Sequence, residues 1–304
     1  MTLQWNRSSI LTAVIALSLL PACQSTRQAS APKLLKFGLE ADKGYDYETA
    51  VSMDQELFGQ TVSVDMTTYF SMRVEGDAGS LRKIRASIDR FRLKTSVAGM
   101  SLDVDTDAPA GKQDTSGTFG DQMQKLQRIF SAIRGQGFSM LVNEEGKIMS
   151  VTGMDDMAER IADSLRLGQN ERESVMKEFR QQFNASEVRQ NLEQFWYIFP
   201  NKEVNVGDSW EKTREGGGKV PVRYRSRYEV LEIEGDMVTI EEKTRLEPKD
   251  RDFDRLEGTV TGTLVVDSRN GLVVRADQDL NMSASGSGLT FSMKGKVRVK
   301  GTAR

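Results

Sequence analysis

Polar and apolar residues alternate with a period of two along three long stretches of this 304-residue chain. Val62, Val64, Met66, Thr68, Phe70, Met72 and Val74 alternate with Ser63, Asp65, Thr67, Tyr69, Ser71 and Arg73. Val222, Tyr224, Ser226, Tyr228 and Val230 alternate with Arg223, Arg225, Arg227 and Glu229. Leu289, Phe291, Met293, Gly295, Val297 and Val299 alternate with Thr290, Ser292, Lys294, Lys296, Arg298 and Lys300. Successive strand residues point to opposite faces, so each stretch predicts a strand with one apolar and one wet face. All three exceed the usual five or six residues. Long antiparallel strands of this kind predict a strongly curved sheet, an open or half barrel. Asn270-Gly271, between apolar runs, predicts a hairpin turn.

The period changes in the middle of the chain. Met123, Leu126, Ile129, Phe130 and Ile133 fall on one helical stripe, as do Met157, Ile161 and Leu165. Asn170 with Glu173 three residues later predicts a capping box. Ser186 predicts a cap for a helix through Leu192, Phe195 and Trp196, which Pro200 closes. Between the first two helices, Phe138 to Val151 predicts a hairpin turning at Glu145-Gly146. The fold class is therefore α+β and β-dominated: a long curved antiparallel sheet with a central helical segment, about 119–200, packed on it.

The two β-rich ends share features in one order. Gly44-Tyr45-Asp46-Tyr47 is echoed by Gly207-Asp208-Ser209-Trp210. Tyr69 and Val74-Glu75-Gly76-Asp77 recur with the same spacing as Tyr228 and Ile233-Glu234-Gly235-Asp236. Val142-Asn143 before Gly146 is echoed by Val266-Asp267 before Gly271. Shared turn chemistry accounts for each match singly. The common order favours two related β units bracketing the helices.

The first residues have another logic. Arg7 precedes a largely apolar run from Ile10 to Leu20, too short for a bilayer, which takes about 20 apolar residues. Charge, short apolar core and small residues are the plan of a secretory signal. The run ends in Leu20-Pro21-Ala22-Cys23, which resembles the lipobox of bacterial lipoproteins, with an atypical proline. The resemblance implies cleavage before Cys23 and a diacylglyceryl group on its thiol. Gln24, where an aspartate commonly retains lipoproteins at the inner membrane, implies the outer membrane, on its periplasmic face. Cys23 is the only cysteine, so the exported chain has no internal disulfide and relies on its core. Residues 24–32 are small and polar and predict a flexible tether. The expected organisation is a signal over 1–22, lipidated Cys23 and tether over 23–32, and a single domain over 33–304.

Composition narrows the chemistry. Without residues 1–22, 41 basic residues face 44 acidic ones, leaving no electrostatic reason to seek nucleic acid. Histidine is absent, which removes the commonest general base, metal ligand and triad partner. Asp103, Asp105 and Asp107, with Asp114, have calcium-loop spacing, but Ala108 stands where that loop needs glycine. They are expected to share the solvent face of a strand end. Asp155, Asp156 and Glu159 form a possible acid–base set, yet the start of a helix explains them better. Ser209 lacks the flanking glycines of a nucleophile elbow. Gly216-Gly217-Gly218 lacks the tail of a phosphate loop and predicts a turn. The rows Arg223, Arg225, Arg227 and Lys294, Lys296, Arg298, Lys300 are expected to be wet strand faces paired with acidic neighbours. Met66, Met72 and Met293 lie on apolar strand faces, where methionine serves either a core or an adaptable surface for an acyl chain.

Three features together suggest a family: the lipobox, Lys43-Gly44-x-x-Tyr47, and Val206-Gly207-Asp208-Ser209-Trp210 shortly after Phe199-Pro200. The chain resembles an uncharacterised family of bacterial lipoproteins, a domain of unknown function with a Val-Gly-Asp-x-Trp segment. That family brings no known activity or catalytic residues. A more distant likeness, of architecture alone, is to half-barrel periplasmic lipoprotein carriers that hold acyl chains under a helical lid. The expected function is that of a non-catalytic, membrane-anchored envelope module binding a lipid, an acyl chain or an envelope protein, without cofactor or metal. The alternative is an enzyme acting on envelope glycan or lipid with carboxylates alone.

Overall fold

Each of the three alternating stretches forms part of a long strand. The computed structural model describes residues 31–57, 59–97, 100–108, 128–166, 168–216, 222–249, 255–286 and 289–304. Cys23, the signal, residues 24–30 of the tether, Asp114, Met123, Leu126, Gly217 and Gly218 lie outside these residues. The first half contains β1 (Lys33–Leu35), β2 (Gly44–Leu57), β3 (Gln60–Ala78), β4 (Leu81–Val97), β5 (Met100–Asp105), β6 (Gly137–Val142) and β7 (Ile148–Thr152). Helix α1 (128–133) precedes β6. Helices α2 (Met154–Ser164), α3 (Gln169–Gln182) and α4 (Ala185–Trp196) follow β7. The second half contains β8 (Lys202–Val204), β9 (Ser209–Gly216), β10 (Val222–Glu234), β11 (Met237–Pro248), β12 (Arg255–Asp267), β13 (Leu272–Gly286) and β14 (Leu289–Ala303).

The large sheet runs β9-β10-β11-β12-β13-β14-β2-β3-β4-β6-β7, antiparallel throughout, with β5 beside the far half of β4. Apart from β5, which folds back on β4, the large sheet is a meander in circular order: the last strand lies beside β2, and α2–α4 and β8 lie between the two edge strands β7 and β9 in the chain. The helical segment is therefore the connection that returns the chain from edge β7 to edge β9. Strands β1 and β8 pair separately in a two-stranded ribbon.

Register defines one inward face. Rows such as Tyr228, Glu242, Gly262, Gln278, Val297, Val51, Met66 and Leu93 cross the sheet side by side. A bulge at Asp89 keeps this face aligned: Ile84, Ala86 and Ile88 point inward before it, Phe91 and Leu93 after it. The main core joins both halves, from Met72, Ile84 and Met140 to Tyr228, Ile240 and Leu264, and includes Phe195, Trp196, Ile198 and Phe199. A second cluster of Ile133, Met157, Ile161 and Phe179 seats α1–α3 against Ile88, and Phe130 stacks on Phe91 at 4.9 Å. Phe130 and Ile133 of the first stripe, and Met157, Ile161 and Leu165 of the second, thus pack into this cluster as their period implied.

Two helix starts differ from expectation. Helix α3 begins at Gln169 after Gly168, with no side-chain cap, so Asn170 is its second residue and not a capping residue. Helix α4 is capped by Asn184, whose side chain accepts from the N–H groups of Ser186 and Glu187. An amide oxygen two residues earlier satisfies the donors that a Ser186 cap would have left open.

The internal echoes divide likewise. Tyr47 and Trp210 both face inward, stacking on Phe70 at 5.4 Å and on Tyr228 at 5.8 Å, but Tyr69, the expected counterpart of Tyr228, faces outward beside Glu48 and Arg90, so that match does not hold. The Asn143–Gly146 and Asp267–Gly271 turns also match: each side-chain oxygen accepts from the N–H two residues on, and each glycine has positive φ. The Glu-Gly-Asp match does not hold. Gly76 lies in a bulge of β3, whose turn is Gly79-Ser80, whereas Gly235-Asp236 is itself the turn.

Candidate functional site

Burial along the inward face is graded. On β3, Met72 and Val74 are buried, whereas Met66, Val64 and Val62 are half-buried. On β2, Tyr45 and Tyr47 give way to Val51 and Met53; on β14, Val299 gives way to Val297, Met293 and Phe291. Val260, Leu280 and Met282 on β12 and β13 are half-buried too. The inward face is therefore packed at one end and half-buried along β14, β2 and β3, while a third buried cluster of Val222, Leu246, Leu256 and Ala284, with Val260, Met282 and Phe291 against it, covers the far end of β10 to β13. Leaving such a face wet costs about 25 cal/mol per Å² of exposed apolar surface.

The packed end is plugged where the sheet edges approach. Trp210 Nε1 on β9 donates to the carbonyl of Ile198 at 2.7 Å, and Lys212 pairs with Glu145 in the β6–β7 turn. Lys147 and Lys212 both lie over the ring of Tyr197. Glu193, on α4, accepts from the N–H of Ile148 at 2.8 Å and so satisfies a donor of the edge strand β7.

A polar group interrupts the apolar floor beside this plug. Glu242, 1% exposed, stands on β11 between Ile240 and Thr244. Thr244 Oγ1 lies 2.6 Å from both Glu242 Oε1 and Ser226 Oγ. Gln278 Nε2 donates to Glu242 Oε2 from two strands away. Gly262 is the residue between them, and its missing side chain lets the amide reach across. A Cβ there would lie 2.1 Å from the carbonyl oxygen of Asp277. Burial raises the Glu242 carboxyl above the usual range despite these donors. Burial likewise raises Glu193.

Because Glu242 binds its proton more tightly in the folded chain, its ionisation costs folding free energy as pH rises from the ordinary carboxylate range. Glu242→Gln removes that cost and keeps the shape. Urea unfolding should find the variant more stable than the natural protein at pH 7.5, with the difference shrinking toward pH 4.5. A difference independent of pH would contradict this.

The residues singled out in the sequence have structural duties. Asp103, Asp105 and Asp107 face away from the core on and after β5, where Asp105 binds Arg90 and Arg92, and Asp107 binds Arg90 and Arg134. The Arg90 guanidinium holds the Asp105 carboxyl down to about 2. Asp155 pairs with Arg180 at 2.9 Å in the first turn of α2, with Asp156 beside it. Ser209 begins β9, exposed, near Arg227. In Val206-Gly207-Asp208-Ser209-Trp210, Gly207 adopts φ 89°, Asp208 accepts from the N–H of Asn205, and Trp210 pins the connection after α4. Arg223, Arg225 and Arg227 pair with Glu215, Glu247 and Glu229, and Lys296 and Arg298 pair with Asp279 and Asp277. Met72 fills the core, while Met66 and Met293 lie on the half-buried inward face. Sequence reasoning missed Glu242, Gln278 and Glu193. Glu242 was legible as a carboxylate in the apolar phase Val238-Ile240-Glu242-Thr244-Leu246.

The fold defines a class: an open, strongly curved antiparallel sheet with helices on its inner side. Among solved structures the chain is similar to one described as lipid–protein interactions in lipovitellin, at TM-score 0.51 and 10% identity. That match covers 88% of this chain and 26% of lipovitellin, so the chain spans about a quarter of its length. Pseudomonas aeruginosa OccK5 (OpdH) is matched at TM-score 0.25 and 8% identity, over 88% of this chain and 99% of that one. No curated protein matches. The chain belongs to a family of unknown function, DUF6263, whose profile matches residues 80–273. The Val-Gly-Asp-x-Trp segment lies within that span, as the family resemblance read from it implied.

Proposed function

We propose that the protein is a non-catalytic, lipid-anchored envelope protein whose half-buried inward face binds an apolar ligand, in the first instance an acyl chain. The observation carrying this reading is the inward face of β14, β2 and β3, where Val297, Met293, Val51, Met53, Met66 and Val64 continue beyond the main core and stay half-buried. Methionine suits such a floor because its unbranched, polarisable side chain adapts to irregular chains. The fold shared with lipovitellin, a protein described for its lipid interactions, supports the same reading. The lipobox supports removal of residues 1–22, lipid on Cys23, a tether over 24–32 and a periplasmic place on the outer membrane. Among the described residues no helix is long and apolar enough to cross a membrane. Against the carboxylate-enzyme alternative, both oxygens of Glu242 are engaged by Thr244 and Gln278, leaving no open face toward a substrate.

One experiment tests both parts. Cys23→Ser should move the protein from the membrane to the soluble fraction, because several acyl chains hold firmly where none remain in the variant. Native mass spectrometry of that soluble protein should then show an added mass of lipid. A variant that stays on membranes overturns the anchor. A released protein carrying no lipid, and taking none from added vesicles of phosphatidylethanolamine and phosphatidylglycerol, overturns the apolar site.

A further inference from the structure

Gln55 stands half-buried on the inward face of β2, in the phase of Val51 and Met53. Its neighbours across the strands are Met293 on β14 and Val62 on β3. Its Nε2 lies 3.2 Å from Met53 Sδ and 3.6 Å from Met293 Sδ. Among the described residues these two sulfurs are the only hydrogen-bond partners of the amide. Thioether sulfur is a weak acceptor, so this is a poor arrangement for an amide in a largely apolar setting. Two thioethers nevertheless converge on one point.

Gly295 allows that convergence. It is the inward residue opposite Met53 and two along from Met293, and it has no side chain to hold the sulfurs apart. A Cβ there would lie 3.3 Å from that of Met53. The surrounding inward positions are Val51, Val62, Val64 and Val297, which offer no carboxylate. A hard divalent cation therefore finds no anionic ligand here, whereas a soft ion finds two thioethers. Thioethers carry no proton to be displaced, so their affinity for metal does not fall with acid as that of thiols and imidazoles does. Methionine turns about three single bonds, which lets both sulfurs close on an ion standing where the amide nitrogen now lies.

We infer that Met53 and Met293 form a site for a soft monovalent metal ion, Cu(I), with the Gln55 amide turning its oxygen toward the metal. This goes beyond the apolar-ligand reading and does not rest on it. Ag(I) shares the charge and softness of Cu(I) and resists oxidation, so silver nitrate in chloride-free buffer is the first probe. It is titrated into the full chain carrying Cys23→Ser, which removes the single thiol. The methionine methyl groups are labelled with carbon-13 and followed by NMR.

The first equivalent should shift the methyl signals of Met53 and Met293 and leave that of exposed Met149 in place. Met53→Leu and Met293→Leu, close in volume, should each weaken binding at least about tenfold, or about 1.4 kcal/mol. Met149→Leu should not. The other methyl signals report whether each variant keeps its fold; where one does not, the shifts in the unsubstituted pair decide. Affinity should be equal at pH 7 and pH 5. Cu(I), kept reduced with ascorbate under argon, should move the same two signals, and Zn(II) should move neither. A first equivalent that settles on other methionines overturns the site, as does equal weakening by Met149→Leu. Affinity that falls with acid, or Zn(II) binding as tightly, overturns thioether ligation. Cu(I) that leaves both signals in place overturns the metal.

Discussion

Trp196→Ala will lower the stability of the folded chain by about 3–5 kcal/mol, the range for emptying a buried aromatic site. Trp196 is the last residue of α4 and is 1% exposed. Its ring lies 5.1 Å from Phe37, which follows β1, and 6.4 Å from Tyr47 on β2. Its carbonyl lies over the glycine of the β6–β7 turn. One side chain thus joins the returning helix, the amino-terminal ribbon and the middle of the sheet. Alanine removes the ring and the aromatic contacts together, each contact worth about 0.5–1.5 kcal/mol beyond its buried area. The measurement is the shift in urea midpoint at an unchanged slope. A loss under about 1 kcal/mol would show that the plug does not close this end.

Gly146→Ala will be nearly as damaging, for a different reason. Gly146 adopts φ 82°, which costs an L-residue about 1–2 kcal/mol. A Cβ there would also fall 1.6 Å from the carbonyl oxygen of Trp196, so turn and helix end must separate. Overpacking of this kind adds about 1–3 kcal/mol. Gly235→Ala supplies the control. Gly235 has φ 58°, and a Cβ there would meet nothing within 4 Å, so that variant carries only the backbone cost. The first variant should therefore lie about 1–3 kcal/mol below the second in urea unfolding. Equal losses would mean that the Trp196 carbonyl yields freely.

These predictions fall on residues that differ in how far the sequence exposed them. Gly146 was legible as a turn, because Glu145-Gly146 interrupts two apolar runs. Its contact with Trp196 was not, since fifty residues and two helices separate them in the chain. The helical stripes and the wet basic faces were legible for the same reason as the strands: one face must be buried and the other solvated. Cap positions were less so, because Asn184 and Ser186 offer chemically similar oxygens, and only the path of the chain into α4 decides between them. In the Glu-Gly-Asp echo, similar turn residues serve one bulge and one hairpin. Local composition allows both, and strand pairing selects.

The candidate site shows the same division more sharply. Met66 and Met293 were readable as inward positions on long strands. Glu242 lay in an apolar phase, but its partner Gln278 sits two strands away across Gly262, a relation set by register alone.

By itself, then, the sequence determined the β-dominated class, the inward and outward faces of the longest strands, the helical middle and most turns. These follow from solvation periods along a few neighbouring residues. Only the tertiary structure decided the circular strand order, the plug that joins the two edges, and the buried carboxyl group set in the apolar inward face. Those depend on which distant strands pair and where the returning helices lie, and no local pattern of polarity encodes that choice.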